Sequence, residues 1–273
     1  MGDGADKYRQ LLGILRAYGR VIVAFSGGVD SALLAFAAKE ALGDQAQAIT
    51  AHSESMPDSE LTAAKALAAR IGIRHRVVET REIANPAYAR NAPDRCYHCK
   101  TELLGVIRSM AAEEGGAVVA LGANADDPKD YRPGLAAAAE GGAKSPLAEA
   151  GFSKADIRAL AREKGLPVWD KPAMPCLASR IPYGEPVTAE KLKRIETAEA
   201  ALRTLGFREC RVRHHGDVAR IEVPGSEIPR WADESLRDQA VKRLKDAGFR
   251  YVALDLEGFR TGSLNEAIGV RRS

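Results

Sequence analysis

Four short strand-like runs, each followed by a helix-length stretch with an apolar face, set the strongest limit on what this chain can fold into. Residues 21–25 (VIVAF), 47–52, 74–79 and 117–121 read as strands. Residues 31–42 (SALLAFAAKEAL), 59–71, 101–114 and 154–164 read as the helices that follow them. Strands alternating with helices of this length predict an α/β domain with a doubly wound, mostly parallel sheet and right-handed crossovers.

The pattern changes near residue 170. Residues 171–186 are rich in Pro, Gly and small side chains and read as a loop. A helix at 189–205, alternating strands at 208–214 and 218–223, a helix at 233–247 and a strand at 251–256 follow. His215-Gly216-Asp217 suits a tight hairpin connection. The expected organisation is a first domain over 1–170, a connecting loop over 171–186 and a smaller α+β domain over 187–273.

At 273 residues, with 45% hydrophobic and 28% charged, the chain can bury a sizeable core. A net charge of +3 allows an anionic substrate without advertising a large nucleic-acid footprint. No run approaches a membrane span, and the first residues lack a signal-peptide pattern, so a cytoplasmic protein is expected. Four cysteines in such a chain do not suggest a secreted disulfide scaffold.

Chemistry enters at Ser26-Gly27-Gly28-Val29-Asp30-Ser31, directly after the first strand and opening the first of these helices. Such a turn aims consecutive amides and the positive end of a helix at one spot, making an anion site. Gly27 and Gly28 let the backbone approach phosphate closely, and Ser26 and Ser31 add hydroxyl donors. A carboxylate in a phosphate cradle needs a cation between it and the ligand, so Asp30 points to Mg²⁺. His52 and Ser53 at the end of the second strand, and Gly122, Asn124 and Asp126 after the fourth, would overhang the same crevice. The loop at 122–127 leads into residues 130–134.

The string resembles the SGGxDS signature of PP-loop ATP pyrophosphatases, which have an adenine nucleotide alpha-hydrolase-like fold. That resemblance implies ATP cleaved between its α and β phosphates, giving an adenylylated substrate and pyrophosphate.

Cys96 and Cys99 form a CxxC, Cys176 lies in the connecting loop, and Cys210 falls in a predicted strand, where an inert buried thiol is expected. The first three admit a redox pair, a zinc site together with His98, or an iron–sulfur cluster with one iron open. Arg211 and Arg213 alternate along one strand, so both face one side, an arrangement suited to gripping a phosphate. Trp169 and Tyr183 are candidates for stacking on an aromatic cation or for packing.

The whole chain resembles the LarE family of sulfur transferases through FSGGVDSALL (25–34), RCYHCK (95–100), NADDPKDYRPGL (124–135), WDKPAMPCLASRIPYG (169–184), RVRHHGDVARIEV (211–223) and LDLEGFRTGSLNE (254–266). The resemblance implies adenylylation of a carboxylate of pyridinium-3,5-biscarboxylic acid mononucleotide, then replacement of oxygen by sulfur, toward the nickel-pincer cofactor of lactate racemase. It implies sulfur supplied either by a sacrificed Cys176 or, in members with the CxxC, by a 4Fe-4S cluster on Cys96, Cys99 and Cys176. The second is expected here. It places the substrate phosphate on Arg211 and Arg213 with Ser179 or Arg180. It also implies a sulfide or other sulfur donor, a downstream nickel-inserting enzyme and a homo-oligomer, with the hexamer of the family as the precedent. The rival readings are a PP-loop tRNA thiolase and an amide-forming synthetase; transfer RNA is not the expected partner, because charge and a basic tail are lacking.

Overall fold

The computed structural model describes residues 3–127, 133–172 and 174–260. The chain forms two compact units. One comprises the residues up to 82 together with 96–174, the other 83–95 together with those from 175 on.

The first unit is built on a parallel sheet of β1 (Val21–Ala24), β2 (Ala46–His52), β3 (Arg74–Glu79) and β4 (Val118–Ala120), in the order β3-β2-β1-β4. Because successive strand side chains point to opposite faces, β1 feeds two cores. Val21 and Val23 join a cluster with Leu11 and Leu15 of α1 (Asp3–Tyr18), Leu33 and Leu34 of α2 (Val29–Leu42), Leu67 of α3 (Asp58–Ile71) and Ile157 of α8 (Lys154–Glu163). Ile22 joins the other, with Ile49 and with Leu104 and Ile107 of α5 (Arg95–Glu113). Burial on both faces is why β1 reads as a continuous apolar run; β3, with exposed Arg74, Arg76 and Glu79, does not. The α/β doubly wound sheet is as expected. Short helices α4 (Pro86–Ala89), α6 (Pro133–Glu140) and α7 (Pro146–Glu149) lie in the connections.

Besides these short helices, two longer ones differ from the sequence reading. α1 is an addition to it, although Tyr8, Leu11, Leu12 and Leu15 recur at helical spacing and are all buried. α5 starts at Arg95 rather than at 101, so the CxxC sits in its first turns. Pro93 and Asp94 precede that start, and no Gly or Pro interrupts the chain again until Gly105.

The second unit has a three-stranded sheet of β5 (Arg211–His215), β6 (Val218–Glu222) and β7 (Tyr251–Leu254). β5 and β6 pair antiparallel, with His215 opposite Val218, so Gly216-Asp217 is a two-residue turn. β6 and β7 run parallel. α9 (Ala189–Thr204) and α10 (Glu234–Asp246) supply Ala198, Leu202, Ala240 and Leu244 to the core around Val212, Ile221 and Phe249. β5 begins at Arg211 rather than at 208. Among the described residues, no helix is long and apolar enough to cross a membrane.

Candidate active site

In the first unit β1 lies between β2 and β4. Successive strands therefore step one way from β1 to β3 and the other way to β4. That reversal opens a crevice at the carboxyl ends of β1 and β4, where ligands settle in sheets of this kind. The turn at 26–31 and the loop at 122–127 are the two segments that leave the sheet there.

The turn is stapled by its own serines. Ser31 Oγ accepts from Ser26 N (3.3 Å), lies 3.2 Å from Ser26 Oγ, and donates to Gly28 O (3.1 Å). Gly27 has φ +71°, and a Cβ there would lie 3.1 Å from that of Ala64, so both conformation and space demand glycine. Val29, Asp30 and Ser31 form the first turn of α2, whose leading amides have no acceptor within the helix.

Gly122 brings the second loop against this turn. A Cβ on it would stand 2.8 Å from Ser31 N and 3.2 Å from Asp30 Cβ. Beyond it, Asn124 Nδ2 reaches Asp30 Oδ1 (3.5 Å), Asp127 accepts from Asn124 N (2.9 Å), and Asp126 accepts from Lys154 N (2.8 Å). Lys154 Nζ donates to Asp30 Oδ2. A second lysine arrives from residue 171: its Nζ bonds Glu60 Oε2 (2.7 Å) and Gly27 O (3.5 Å). Neither lysine stands out in the sequence as functional. Residues 130–132 lie outside the described residues. His52 and Ser53 sit at the carboxyl end of β2 with other partners. The imidazole lies between Glu79 (3.3 Å) and Asp58 (3.6 Å), and the Ser53 hydroxyl donates to the buried Glu82.

In the second unit, β5 turns Arg211 and Arg213 to one side, with Val212 in the core on the other. Both arginines are buried, at 1% and 8% exposure. Arg213 donates to Ser179 O (2.8 Å) and Glu222 Oε2 (2.7 Å). Arg211 donates to Cys210 O (2.8 Å) and lies over Phe259. Burial, and then the nearby Arg180, lower the pKa of Arg211. All three nitrogens of the Arg180 guanidinium donate to protein groups. It makes a two-pronged pair with Glu199 (2.8 and 3.1 Å) and donates to Pro175 O (2.6 Å), Cys176 O (3.1 Å) and Ser179 Oγ (2.9 Å).

Cys96 is exposed and Cys99 half-buried, one turn apart on α5 in the first unit. Cys176 is half-buried and belongs to the second. Among the described residues no three His, Cys, Asp or Glu side chains are gathered to hold a metal ion. Burial pushes the Cys210 thiol up to about 12, which leaves it protonated and inert near neutral pH. Trp169 has Arg162 over its ring (4.9 Å), and Tyr183 has Arg95 (5.9 Å).

Comparison with known proteins decides the family. The family described as asparagine synthase matches residues 13–112. The pyridinium-3,5-bisthiocarboxylic acid mononucleotide synthase of Lactiplantibacillus plantarum is 40% identical, over 98% of this chain and 97% of its own. The chain belongs to that synthase family. An uncharacterized protein of Synechocystis, slr1717, is a further relative, 46% identical over 96% of this chain and 97% of its own. The tRNA-specific 2-thiouridylase MnmA of Azorhizobium caulinodans shares 31% identity over 66% of this chain and 56% of its own. As a member of the synthase family, the chain is an ATP-dependent sulfur transferase.

Proposed function

We propose that this enzyme adenylylates a carboxylate of pyridinium-3,5-biscarboxylic acid mononucleotide and exchanges the activated oxygen for sulfur, on the route to a nickel-pincer cofactor. The observation that carries the first step is the stapled turn at 26–31 facing the Gly122 loop across the reversal in strand order. Amides there suit a triphosphate, and its α-phosphorus is then open to attack. The substrate carboxylate attacks that phosphorus, the α–β phosphoanhydride bond breaks, and pyrophosphate leaves. Sulfide then attacks the acyl carbon, and AMP departs with the former carboxylate oxygen and the bonding pair. A thiocarboxylate remains.

Asp30 would hold Mg²⁺, which neutralises phosphate charge when bound. Ser26, Gly27, Gly28, Val29 and Ser31 bind the nucleotide, with Gly122, Asn124 and Asp126 across the crevice and His52 and Ser53 at its margin. We add Lys154 and Lys171, which are held on Asp30 and Glu60 in the present state and suit the leaving pyrophosphate. Arg211 and Arg213 take the substrate phosphate. Of Ser179 and Arg180, we assign the contact to Ser179, because the guanidinium already holds the Cys176 loop. Cys96, Cys99 and Cys176 are the donor types of an iron–sulfur cluster, which would supply the sulfide when bound.

The test is product analysis after incubation with ATP, Mg²⁺, sulfide and the biscarboxylate nucleotide. A mass gain equal to the sulfur–oxygen difference, matched by AMP and pyrophosphate, is expected. ADP and orthophosphate would refute the scheme. The likeness to the 2-thiouridylase supports a second reading, thiolation of RNA through the same adenylate; a transfer RNA that gains sulfur in that assay would decide for it.

A further inference from the structure

Residues 83–95 pack with the second unit, and Asn91 is the centre of what they do there. Its side chain has no exposed surface, and its φ of 58° is the only left-handed value at a non-glycine residue among those described. Its Nδ2 donates toward three carbonyls of one loop, those of Pro182 (2.8 Å), Glu185 (2.9 Å) and Ile181 (3.3 Å). Its Oδ1 accepts from Arg95 Nη1, and the same nitrogen donates to Ala178 O (3.0 Å). Two backbone bonds reinforce the join, Gly184 N to Asn91 O (3.0 Å) and Val187 N to Ala89 O (2.8 Å).

A buried amide in a disfavoured backbone state persists only where its surroundings hold it, and such residues gather at working sites. The location is telling. Arg95 immediately precedes Cys96, and the carbonyl it holds lies two residues after Cys176. We propose that Asn91 and Arg95 are positioning residues for sulfur delivery, clamping the chain that enters Cys96 to the chain that leaves Cys176. The proposal rests on the reading that these cysteines handle sulfur. The clamp bonds named above involve neither the nucleotide turn nor Arg211 and Arg213, so adenylylation is expected to survive their loss.

Asn91→Gly tests this, because glycine keeps the left-handed backbone and deletes only the amide. Deleting a buried amide that pairs with three carbonyls and Arg95 should lower the melting temperature by several degrees, while below that transition pyrophosphate release per mole of enzyme should stay near wild type. Thiocarboxylate formation should fall about tenfold or more, as expected when reacting groups are displaced by an ångström. Alkylation of Cys176 by iodoacetamide should speed up as its loop loosens, and Arg95→Lys should show a milder form of both changes. Equal losses of pyrophosphate release and sulfur transfer would reduce Asn91 to a folding role and overturn the proposal. So would unchanged alkylation in Asn91→Gly. Should Cys96→Ala and Cys176→Ala both transfer sulfur at the wild-type rate, the cysteine reading itself fails and the proposal with it.

Discussion

Lys154 holds Asp30, the proposed magnesium ligand, and Lys171 holds Glu60 beside Gly27 O. Each lysine can exchange its carboxylate for a phosphate oxygen when nucleotide and metal arrive together, with little change in net charge. A hydrogen bond to a charged group contributes about 1.5–3 kcal/mol. Lys154 is 40% exposed, so the lower end applies to it. Lys154→Met should therefore weaken ATP about tenfold and AMP far less, since AMP lacks the outer phosphates. Calorimetric titration with each nucleotide checks this, and equal losses would place the lysine elsewhere. The sequence singles out Asp30 for the proposed metal role because a carboxylate in a phosphate turn would repel its ligand without a cation to bridge them. It does not single out the two lysines, because a lysine opening a helix or ending a loop looks like any solvated surface charge. For Arg180 the residue type was legible but its use was not: partners at Pro175, Cys176 and Glu199 are invisible until the loop is folded.

At the scale of elements, α8 shows how a local signal becomes structure. Ser153 caps its N-terminus, and Asp156 closes a capping box by accepting from Ser153 N (2.9 Å) and Ser153 Oγ (2.7 Å). Lys7 Nζ adds an ion pair to α1 (2.9 Å). The Lys7 bond, and then those from Ser153, lower the Asp156 pKa from 3.8 to about 2. A carboxyl depressed in the folded state contributes stability above its unfolded value and loses it as pH falls toward the folded one. Asp156→Ala should thus cost about 1 kcal/mol near neutral pH. The gap from wild type should close between roughly pH 4 and pH 2. Thermal melts across that range would show it, and a gap unchanged at low pH would contradict the assignment. β1 was legible for a related reason: buried on both faces, it is apolar without alternation. The early start of α5 was not, because Cys, Tyr and His are indifferent helix formers, and what decides the matter is the Pro-Asp pair ahead of them.

For the molecule as a whole, the nucleotide turn and the arginine strand belong to different compact units. Their chemistry should therefore separate under mutation. Arg211→Ala with Arg213→Ala is expected to raise the KM for the anionic nucleotide substrate at least tenfold, at about 1.5 kcal/mol or more for each charged contact. The affinity for ATP should stay near wild type, and an unchanged KM would remove the arginines from the site. The periodic half of each unit was readable from apolar spacing. The membership of residues 83–95 was not, because it rests on a buried asparagine whose partners are some ninety positions away (|i−j| of 90 to 94).

That interleaving restricts how the gene can be cut. The backbone passes from one unit to the other before residue 83, returns after 95 and passes again before 175, so no single break separates two self-sufficient pieces. A fragment ending near 174 would keep Tyr88 and Asn91 with nothing to cover them, and a fragment starting there would lack the insert that ties down its first loop. Grafting the arginine strand onto another ATP-using scaffold would thus require transplanting two stretches of chain, and variants made by simple truncation should aggregate rather than report on either half.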